Sequence, residues 1–230
     1  MTPGLKYRHE FKYEITLREY FALRQILRLV CRPDIHAGDD GEYLISSLYF
    51  DNCFDKALRE KRHGTDCREK FRFRYYNSDS RFIRLEKKQK KNSLCLKTSC
   101  MVSKEDCQRI IDGDTGWLTH AEEPLLQELG FKMATQLLRP RTIVAYRREA
   151  YVYGPGNVRI TFDKQVCSTL SPNDYLKPLP AALSALQSGT MILEVKYDEF
   201  LPEHIRSIIA PYLSRQESIS KYAACRQYEF

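Results

Sequence analysis

Long hydrophobic runs are missing from this sequence, and their absence argues against a membrane protein. No stretch approaches the roughly 18 consecutive apolar residues that a membrane-spanning helix needs. The opening residues, MTPGLKYRHE, contain no apolar core of the kind that a secretory signal carries. We therefore expect a cytoplasmic protein that does not insert into a membrane.

Cysteines and histidines do not cluster along the chain. The eight cysteines form no C-x-x-C pair, and none of the five histidines lies at zinc-finger spacing from them. This pattern is typical of reduced thiols in a cytosolic protein, and it argues against a metal site made of these two residue types. No Ser, Cys or His arrangement for a covalent nucleophile stands out either.

Internal repeats and low-complexity linkers are also missing. The 230 residues, 43% of them hydrophobic, are enough to form one sizeable core. The two longest connecting segments, 32–42 and 171–189, read as loops, the second with room for a short helix. Neither segment divides the chain into self-sufficient halves, so we predict a single domain over residues 1–230.

The sequence does contain an excess of positive charge and many alternating segments. The formal net charge of +7 suits a polyanionic partner such as nucleic acid, an acidic membrane surface or a phosphate compound. Apolar and polar residues alternate with a period of two, which is typical of strands, in eight segments. These are 9–15, 43–51, 68–76, 81–90, 92–100, 142–153, 158–166 and 191–198.

Signals for helix ends lie between these strands. Caps or first-turn prolines open helices at Thr16 with Glu19, at Ser103 with Asp106, at Pro124 and at Pro202. Gly113 is expected to end the second of these helices, and a last helix is expected at about 214–226. Antiparallel strands with helices between them indicate an α+β fold with a large sheet or barrel.

The predicted strands sort their residues onto two faces of different chemistry. In the segment 70–91, which holds nine cations among 22 residues, Phe71 and Phe73 lie opposite Arg72 and Arg74. Over all the strands, one face gathers nine cations and five carboxylates. The cations are Lys12, Arg72, Arg74, Arg84, Lys88, Lys90, Arg148, Arg159 and Lys196, and the carboxylates are Glu10, Glu14, Glu86, Asp163 and Glu194.

An ordinary antiparallel sheet with one face in water is the simplest explanation of a polar strand face. Same-face residues lie about 6.5–7 Å apart along a strand, where two like charges cost about 2–3 kcal/mol at an effective dielectric of about 20. A sheet gathers such charges only with interleaved carboxylates or a bound anion. Because helices must cover the apolar face, we expect the charged face to line the polar interior of a closed barrel.

Some of the residues near this face have a simpler alternative role. Glu86 and Asp163 either serve a site directly or act only as ion-pair partners of neighbouring arginines. Tyr49 and Asp51 either line the interior or only end a strand. Lys87 points to the opposite face and is expected at the solvated surface.

Eight short motifs follow one another in the order of the strands. They are E-x-K at 10–12, SSLYFD at 46–51, FRFRYY at 71–76, LEKKQK at 85–90, VAYRREAY at 144–151, VRITFD at 158–163, LEVK at 193–196 and SKY at 220–222. This series resembles the VTC domain, the catalytic domain of the vacuolar transporter chaperone polyphosphate polymerases and of bacterial relatives. The resemblance covers about residues 7–225. That family belongs to the triphosphate tunnel metalloenzymes, together with CYTH-type triphosphatases and adenylate cyclases.

The resemblance implies a fold and a set of site residues. The implied fold is an eight-stranded antiparallel β-barrel tunnel with helices packed outside. The cations implied to grip a triphosphate and a growing chain are Lys12, Arg72, Arg74, Lys88, Arg148, Arg159 and Lys221. Glu194 is implied to hold Mn²⁺ or Mg²⁺, with Glu10 as a second ligand.

Further residues are expected to bind substrate around these. Lys97 corresponds loosely to another family cation, and Ser220 belongs with Lys221 to the motif that closes the tunnel from the C-terminal helix. The cationic face adds Lys90, Arg84 and Lys196. Arginine forks bind phosphate oxygens in pairs, whereas lysine acts as a point charge, so both residue types suit a phosphate chain.

A polyphosphate polymerase is the enzyme that the resemblance implies. Such an enzyme transfers the γ-phosphate of ATP to the end of a polyphosphate chain, and this reaction needs positioning and charge neutralisation more than covalent catalysis. Two alternatives stay open on the same fold. One is a triphosphate or polyphosphate hydrolase, in which water attacks, and the other is a module that binds polyphosphate without catalysis.

An RNA-binding sheet is a further alternative, since FRFRYY mixes basic and aromatic residues. The segment lacks the glycines of an RNA-recognition motif, and its aromatic residues alternate away from its arginines. We therefore expect ATP and polyphosphate or triphosphate as partners and no nucleic acid, with protein partners unidentified. The residues include no SPX sensor region like that of the eukaryotic polymerases, which leaves regulation open.

Overall fold

The computed structural model describes residues 7–91, 94–169, 171–177, 182–213 and 219–228, and it contains ten β-strands in these ranges. The strands are β1 (Arg8–Thr16), β2 (Arg32–Pro33), β3 (Glu42–Asp51), β4 (Cys67–Tyr76), β5 (Asp79–Lys91), β6 (Leu94–Val102), β7 (Arg139–Tyr153), β8 (Val158–Thr169), β9 (Leu183–Ser184) and β10 (Thr190–Tyr197). Each predicted strand segment overlaps one of the eight long strands. The two-residue strands β2 and β9 are too short to show alternation.

Eight of the strands pair side by side in a closed antiparallel ring. The order around the ring is β7, β3, β4, β5, β6, β1, β10 and β8, and β8 pairs back to β7. Of the ladders between neighbours in the ring, the one between β1 and β6 is the shortest among the described residues, with the pairs Arg8–Cys95 and His9–Leu94. The ring confirms the predicted fold class, since closing the sheet gives every long strand an inner and an outer face.

Within the described residues, six α-helices accompany the ring. They are α1 (Leu17–Val30), α2 (Lys56–Arg62), α3 (Lys104–Ile111), α4 (Pro124–Thr135), α5 (Glu203–Leu213) and α6 (Lys221–Cys225). The predicted capping box of Thr16 and Glu19 opens α1, and Ser103 caps α3. In the described part of the chain, no helix is long and apolar enough to cross a membrane.

The last two helices differ in extent from the sequence expectation. Helix α5 begins at Glu203, directly after Pro202. Helix α6 covers only Lys221–Cys225 of the expected 214–226, of which residues 214–218 lie outside the described ranges. Ser220 caps α6 by accepting a hydrogen bond from the backbone N–H of Ala223, which explains why the helix starts there.

Two apolar clusters join the outer face of the ring to the helices. In the first, residues of β4 and β5 such as Phe73 and Leu85 pack against Ile110 of α3 and Leu129 of α4. In the second, residues of β1, β8 and β10 pack against α1 and α5, through Tyr13, Phe162, Leu193, Leu23 and Ile209. Helix burial on the outside therefore leaves the polar strand faces turned inward, as the alternation predicts.

The interior of the ring is polar only in part. A third cluster includes Ile45, Val144, Val166 and Ile192, which face the interior of the ring from β3, β7, β8 and β10. In β8, a register shift against β7 and a positive φ of 52° at Gln165 place Val166 in this cluster. Apolar side chains thus fill one part of the interior, and the polar cavity takes up the rest.

Asp51 connects the end of β3 to α2 and α6. Its carboxylate accepts hydrogen bonds from the backbone N–H groups of Ala57 (2.8 Å) and Leu58 (3.2 Å) and from the hydroxyl of Tyr222 (2.6 Å). Arg226, directly after α6, in turn donates to Asp55 (2.7 Å). Asp51, which is 1% exposed, therefore ends a strand and also anchors the two helices that reach the cavity.

Lys87 is not at the solvated surface. It points outward as expected, but it is buried beneath α4, where it forms ion pairs with Glu128 and with Glu69. The ammonium also lies 5.7 Å from the ring centroid of Phe71. Because a helix covers this outer face, a lysine there needs carboxylate partners rather than water.

We predict that Phe73→Ala lowers the free energy of unfolding by about 3–5 kcal/mol, because the ring is fully buried between the sheet and the helices. Phe82→Ala on the neighbouring strand is the matched control. Its ring is 61% exposed, so its loss should cost no more than about 0.5 kcal/mol. Urea titration followed by circular dichroism measures both values, and similar losses in the two variants would contradict this assignment of faces.

Candidate active site

A cavity of about 360 Å³ lies inside the ring, where the polar strand faces meet α2 and α6. Eleven of the fourteen predicted site residues line it. These are Glu10, Lys12, Arg72, Arg74, Lys88, Lys90, Arg148, Glu194, Lys196, Ser220 and Lys221. Residues from both ends of the sequence thus come together, because β1 and β10 are neighbours in the ring.

Three predicted site residues do not line this cavity. Arg84 is exposed and lies in the N-terminal half of β5, whereas the lining residues Lys88 and Lys90 lie near the C-terminal end of that strand. Lys97 is also exposed and reaches Glu86 with its ammonium at 3.1 Å. The guanidinium of Arg159 donates to Asp34 (2.5 Å) and to the hydroxyl of Tyr43 (2.6 Å).

The cavity also has lining residues that the sequence analysis does not include among its site residues. Three are cations: Lys61 of α2, and Arg68 and Lys70 of β4. Arg68 and Lys70 continue the inward face of Arg72 and Arg74, so the alternation could have found them. Lys61 carries no such signal, since α2 has neither a side-chain cap nor a first-turn proline. The other lining residues are the tyrosines Tyr49, Tyr146 and Tyr222, with Cys95 and Ile219.

Glu86 lies behind the cavity wall and forms ion pairs with two of the arginines that line it. Its carboxylate accepts two hydrogen bonds from Arg72, at 2.8 and 2.6 Å, and lies 3.8 Å from Arg74. Burial opposes its charge, but the two arginines outweigh burial and keep its pKa far below the usual range. Glu86 is therefore an ion-pair partner that fixes arginines within the cavity wall, which is one of the two roles considered for it.

Hydroxyl groups fix the same arginines from other sides. Arg72 donates to the hydroxyl of Tyr49 at 2.7 Å. Arg74 donates to Ser47 at 3.0 Å and to the hydroxyl of Tyr146 at 3.1 Å. The guanidinium groups are thus held in place before any ligand arrives, which reduces the entropy lost on binding.

Asp163 has the corresponding role for Arg148 and Lys221. Arg148 makes a two-pronged pair with its carboxylate, at 2.6 and 2.8 Å, and Lys221 contacts the same carboxylate. Asp163 is fully buried, yet the attraction of these two cations outweighs desolvation and lowers its pKa. Lys221 enters from α6, so Asp163 ties the C-terminal helix to the ring.

Glu10 and Glu194 line the cavity itself among three lysines. Glu10 lies 2.5 Å from Lys88 and 3.0 Å from Lys12, and Glu194 lies 2.5 Å from Lys196. Burial opposes both carboxylate charges, but these lysines outweigh it and lower the pKa of each carboxyl. Burial also lowers the pKa of Lys196 to about 8, despite its two carboxylate neighbours.

The carboxylates of the cavity suit a metal site in which the substrate supplies part of the ligands. No group of three or more His, Cys, Asp or Glu side chains comes together within the described ranges. Glu194, however, lies close enough to Glu10 to raise the pKa of the Glu10 carboxyl, while neighbouring cations lower the pKa of both carboxyls. Mg²⁺ is often held by one or two carboxylates together with phosphate oxygens of the substrate, and these two residues fit that arrangement.

The balance of charge favours an anionic ligand. Eleven lining residues are cations, namely the eight predicted ones with Lys61, Arg68 and Lys70, whereas Glu10 and Glu194 are the carboxylates that line the cavity. Guanidinium groups backed by buried carboxylates can chelate phosphate oxygens, and the lysines add point charges. The cavity is therefore built to bind a polyanion and to neutralise its charge.

A closed antiparallel ring of eight strands with a cationic interior is the architecture of the triphosphate tunnel fold, and this protein has that fold. The model of the VTC domain family matches residues 7–230, so the chain belongs to the VTC domain family. The family match confirms the resemblance found in the motifs. No curated protein sequence matches the chain at a significant level.

Solved structures of other proteins share the fold at low sequence identity. A candidate adenylate cyclase from Bacillus halodurans is 13% identical, with a TM-score of 0.56, and the match covers 95% of this chain and 96% of that one. A candidate adenylyl cyclase from Hippeastrum with a dominant triphosphatase activity is 10% identical, with a TM-score of 0.59 and coverage of 98% and 97%. A candidate adenylate cyclase from Vibrio parahaemolyticus is 9% identical, with a TM-score of 0.52 and coverage of 96% and 98%.

We predict that tripolyphosphate raises the melting temperature of this protein. A ligand that binds only the folded state stabilises it by about 2.7 kcal/mol at a hundredfold excess over its Kd. Replacing both Arg72 and Arg74 by alanine should reduce the shift at a fixed ligand concentration, because both guanidinium groups line the cavity.

The matched control is Arg84→Ala, which removes an exposed arginine from the neighbouring strand outside the cavity. This variant should keep the wild-type shift in differential scanning fluorimetry. The same shift in the double variant as in wild type would remove Arg72 and Arg74 from the binding site.

Proposed function

We propose that this protein is a divalent-metal-dependent polyphosphate polymerase, which transfers the γ-phosphate of ATP to the end of a polyphosphate chain. The observation that carries the proposal is the length of the cationic row inside the ring. Arg68, Lys70, Arg72 and Arg74 share the inward face of β4, and all four line the cavity.

A row of this length suits two anions at once. Same-face residues are about 6.5–7 Å apart, so the four side chains extend over about 20 Å. That distance is longer than the three linked phosphates of one nucleotide. The row therefore offers cations to the triphosphate of ATP and to the end of a second phosphate chain, which are the two reactants of a polymerase.

The residues of the cavity match the needs of phosphoryl transfer. The reaction depends on aligning the attacking and leaving oxygens and on stabilising negative charge, rather than on a covalent enzyme intermediate. Arg72, Arg74 and Arg148 are oriented by Glu86 and Asp163 and so can hold phosphate oxygens in fixed positions. A chain-end phosphate serves as the nucleophile and needs no activated Ser, Cys or His.

Glu10 and Glu194 are the residues that would hold a divalent cation. When bound, Mn²⁺ or Mg²⁺ would neutralise phosphate charge and help to orient the reacting groups. Both carboxylates already bind lysines, and a metal ion would share them with Lys12, Lys88 and Lys196. Ionised carboxylates at neutral pH suit this role, since a hard cation binds only the deprotonated form.

A hydrolase on the same fold is the second candidate. The Hippeastrum protein, which has a dominant triphosphatase activity, shares the fold over 98% of this chain. In a hydrolase, water takes the place of the chain-end phosphate, and the same cations bind the triphosphate. The two candidates therefore differ in their products rather than in the residues that bind phosphate.

We predict that the protein, ATP and Mn²⁺ together yield ADP and a ladder of polyphosphate chains. Arg148→Ala should lower the rate of chain formation by about ten- to a hundredfold, since a charge-assisted hydrogen bond contributes about 1.5–3 kcal/mol and Arg148 lines the cavity. Gel electrophoresis and phosphorus NMR of the products measure chain length and amount.

Arg84→Ala is again the matched control and should keep the wild-type ladder. ADP with only free orthophosphate, and no chain, would assign the protein to the hydrolases. Binding of polyphosphate without any metal-dependent turnover would identify a non-catalytic module.

We predict that Glu194→Gln abolishes metal-dependent turnover. The amide keeps the shape of the side chain but removes the charge that a hard cation needs. Binding of tripolyphosphate in the absence of metal should persist, because the arginines of the cavity remain. Wild-type turnover at saturating Mn²⁺ would exclude Glu194 as a metal ligand, and the two readouts are measured by product analysis and by calorimetry.

A further inference from the structure

Helix α1 has apolar residues on both of its faces. Tyr20, Leu23 and Leu27 are buried and pack against the outside of the ring. The opposite face of a surface helix is normally polar, because it contacts water. In α1, however, five large apolar side chains are exposed, namely Leu17, Phe21, Ile26, Leu29 and Val30. The composition of this outer face suits contact with an apolar partner.

Helix α3 shows the ordinary pattern. Its exposed side chains are Lys104, Glu105 and Arg109, and all three are charged. Both helices bury one apolar face against the ring. Packing against the ring therefore does not explain why the outer face of α1 is apolar.

Exposed apolar side chains continue after the end of α1. Ile35, between β2 and β3, is 89% exposed, and Leu29, in the last turn of α1, is 87% exposed. Within the described ranges, these two are the most exposed of the large apolar side chains. Ile26, Leu29 and Val30 are three or four residues apart and are neighbours on the helix surface. The α1 surface is defined here as Leu17, Phe21, Ile26, Leu29, Val30 and Ile35.

Positive charge accompanies the α1 surface. Between residues 17 and 35, the exposed charged residues are Arg18, Arg28 and Arg32. The carboxylates of the same stretch have other roles, since Glu19 belongs to the capping box of α1 and Asp34 is buried and paired with Arg159. A contiguous exposed apolar patch marks an interaction site, and the charges beside this patch favour a partner that is also anionic.

Two of these arginines are available to an external anion. Arg28 donates a hydrogen bond to the hydroxyl of Tyr151. Among the described residues, the side chains of Arg18 and Arg32 form no ion pair. The next exposed carboxylates along the chain are Asp39 and Asp40, of which Asp40 is paired with Arg147.

We propose that the α1 surface binds the headgroup layer of an anionic lipid bilayer. Apolar side chains of an interfacial helix enter the boundary between headgroups and acyl chains, and arginines beside them attract lipid phosphates. Leu29 and Ile35 stand clear of the protein, so they can enter a deformable lipid layer, whereas a protein partner would need matching pockets. A second copy related by two-fold symmetry would place arginines against arginines.

Vesicle sedimentation tests the proposal. The protein is mixed with vesicles of phosphatidylcholine alone or of phosphatidylcholine with phosphatidylglycerol, and tripolyphosphate is present throughout so that lipid phosphates do not compete for the cavity. The wild-type protein should bind the anionic vesicles, and it should bind the zwitterionic vesicles at least about tenfold more weakly. Replacing both Leu29 and Ile35 by serine should weaken binding to the anionic vesicles about tenfold or more, because each apolar side chain that leaves water contributes about that factor.

A second variant tests the charges. Replacing both Arg18 and Arg32 by glutamine should weaken binding to the anionic vesicles about tenfold or more, since each basic residue near an anionic surface contributes about fivefold. Because all four substituted residues are exposed, both variants should keep the wild-type melting temperature, which shows that they are folded.

Matched controls remove the same kinds of side chain from other parts of the surface. Phe54→Ser with Phe131→Ser removes two exposed apolar rings, and Arg62→Gln with Lys104→Gln removes two exposed cations. Both controls should bind vesicles as the wild-type protein does. Losses as large as those of the α1 variants would show that total hydrophobicity or net charge drives binding, and would overturn the proposal.

Three further outcomes would overturn the proposal. Wild-type protein that binds neither kind of vesicle would favour an acidic protein as the partner. Undiminished vesicle binding by both α1 variants would place the lipid contact elsewhere. A wild-type dimer that Leu29→Ser with Ile35→Ser converts to a monomer in analytical ultracentrifugation would assign the surface to a second copy of the chain. These measurements involve no ATP and no turnover, so they are independent of the proposed polymerase activity.

Discussion

Buried carboxylates behind the cavity are the interaction on which the rest of the structure depends. Glu86 and Asp163 are almost fully buried, and each holds an arginine that lines the cavity. Removing one partner of such a pair leaves an uncompensated buried charge, which typically costs about 3–5 kcal/mol. The pairs therefore do two things at once. They allow arginines to exist inside a closed ring of strands, and they fix the direction in which those arginines point.

Apolar packing and the contacts of Asp51 position the elements that carry these ion pairs. Outer apolar clusters fix the helices against the ring, and inner apolar residues such as Ile45 and Ile192 fill part of its interior, so the polar groups share a limited volume. Asp51 then joins α2 and α6 to the sheet through backbone N–H groups and the hydroxyl of Tyr222. Lys61 and Lys221 reach the cavity from those two helices, so its electrostatics depend on how well they are anchored.

The sequence predicts the strands and their faces well because alternation is a local property. It predicts the inward direction of Arg72, Arg148 and Glu194 for the same reason. The sequence does not predict how far along the tunnel a residue lies, because strand register decides that position. Arg84 is two residues from Glu86 on the same strand face but is exposed. Arg159 binds Asp34 and does not line the cavity. At the irregularity near Gln165, residues two apart no longer share a face, so alternation does not predict which way Val166 points. Helix α2 has no capping signal in the sequence, so Lys61 could not be assigned to the cavity.

Whether the buried carboxylates orient the cavity arginines for phosphate can be tested by a crystal structure of the protein with tripolyphosphate and Mn²⁺. We expect phosphate oxygens within hydrogen-bonding distance of Arg72, Arg74 and Arg148. We also expect Glu86 and Asp163 to keep their present arginine partners, since the cations are already oriented for the ligand. Tripolyphosphate bound only on the outer surface of the ring, or arginines that leave their carboxylates to reach it, would contradict this role of the buried carboxylates.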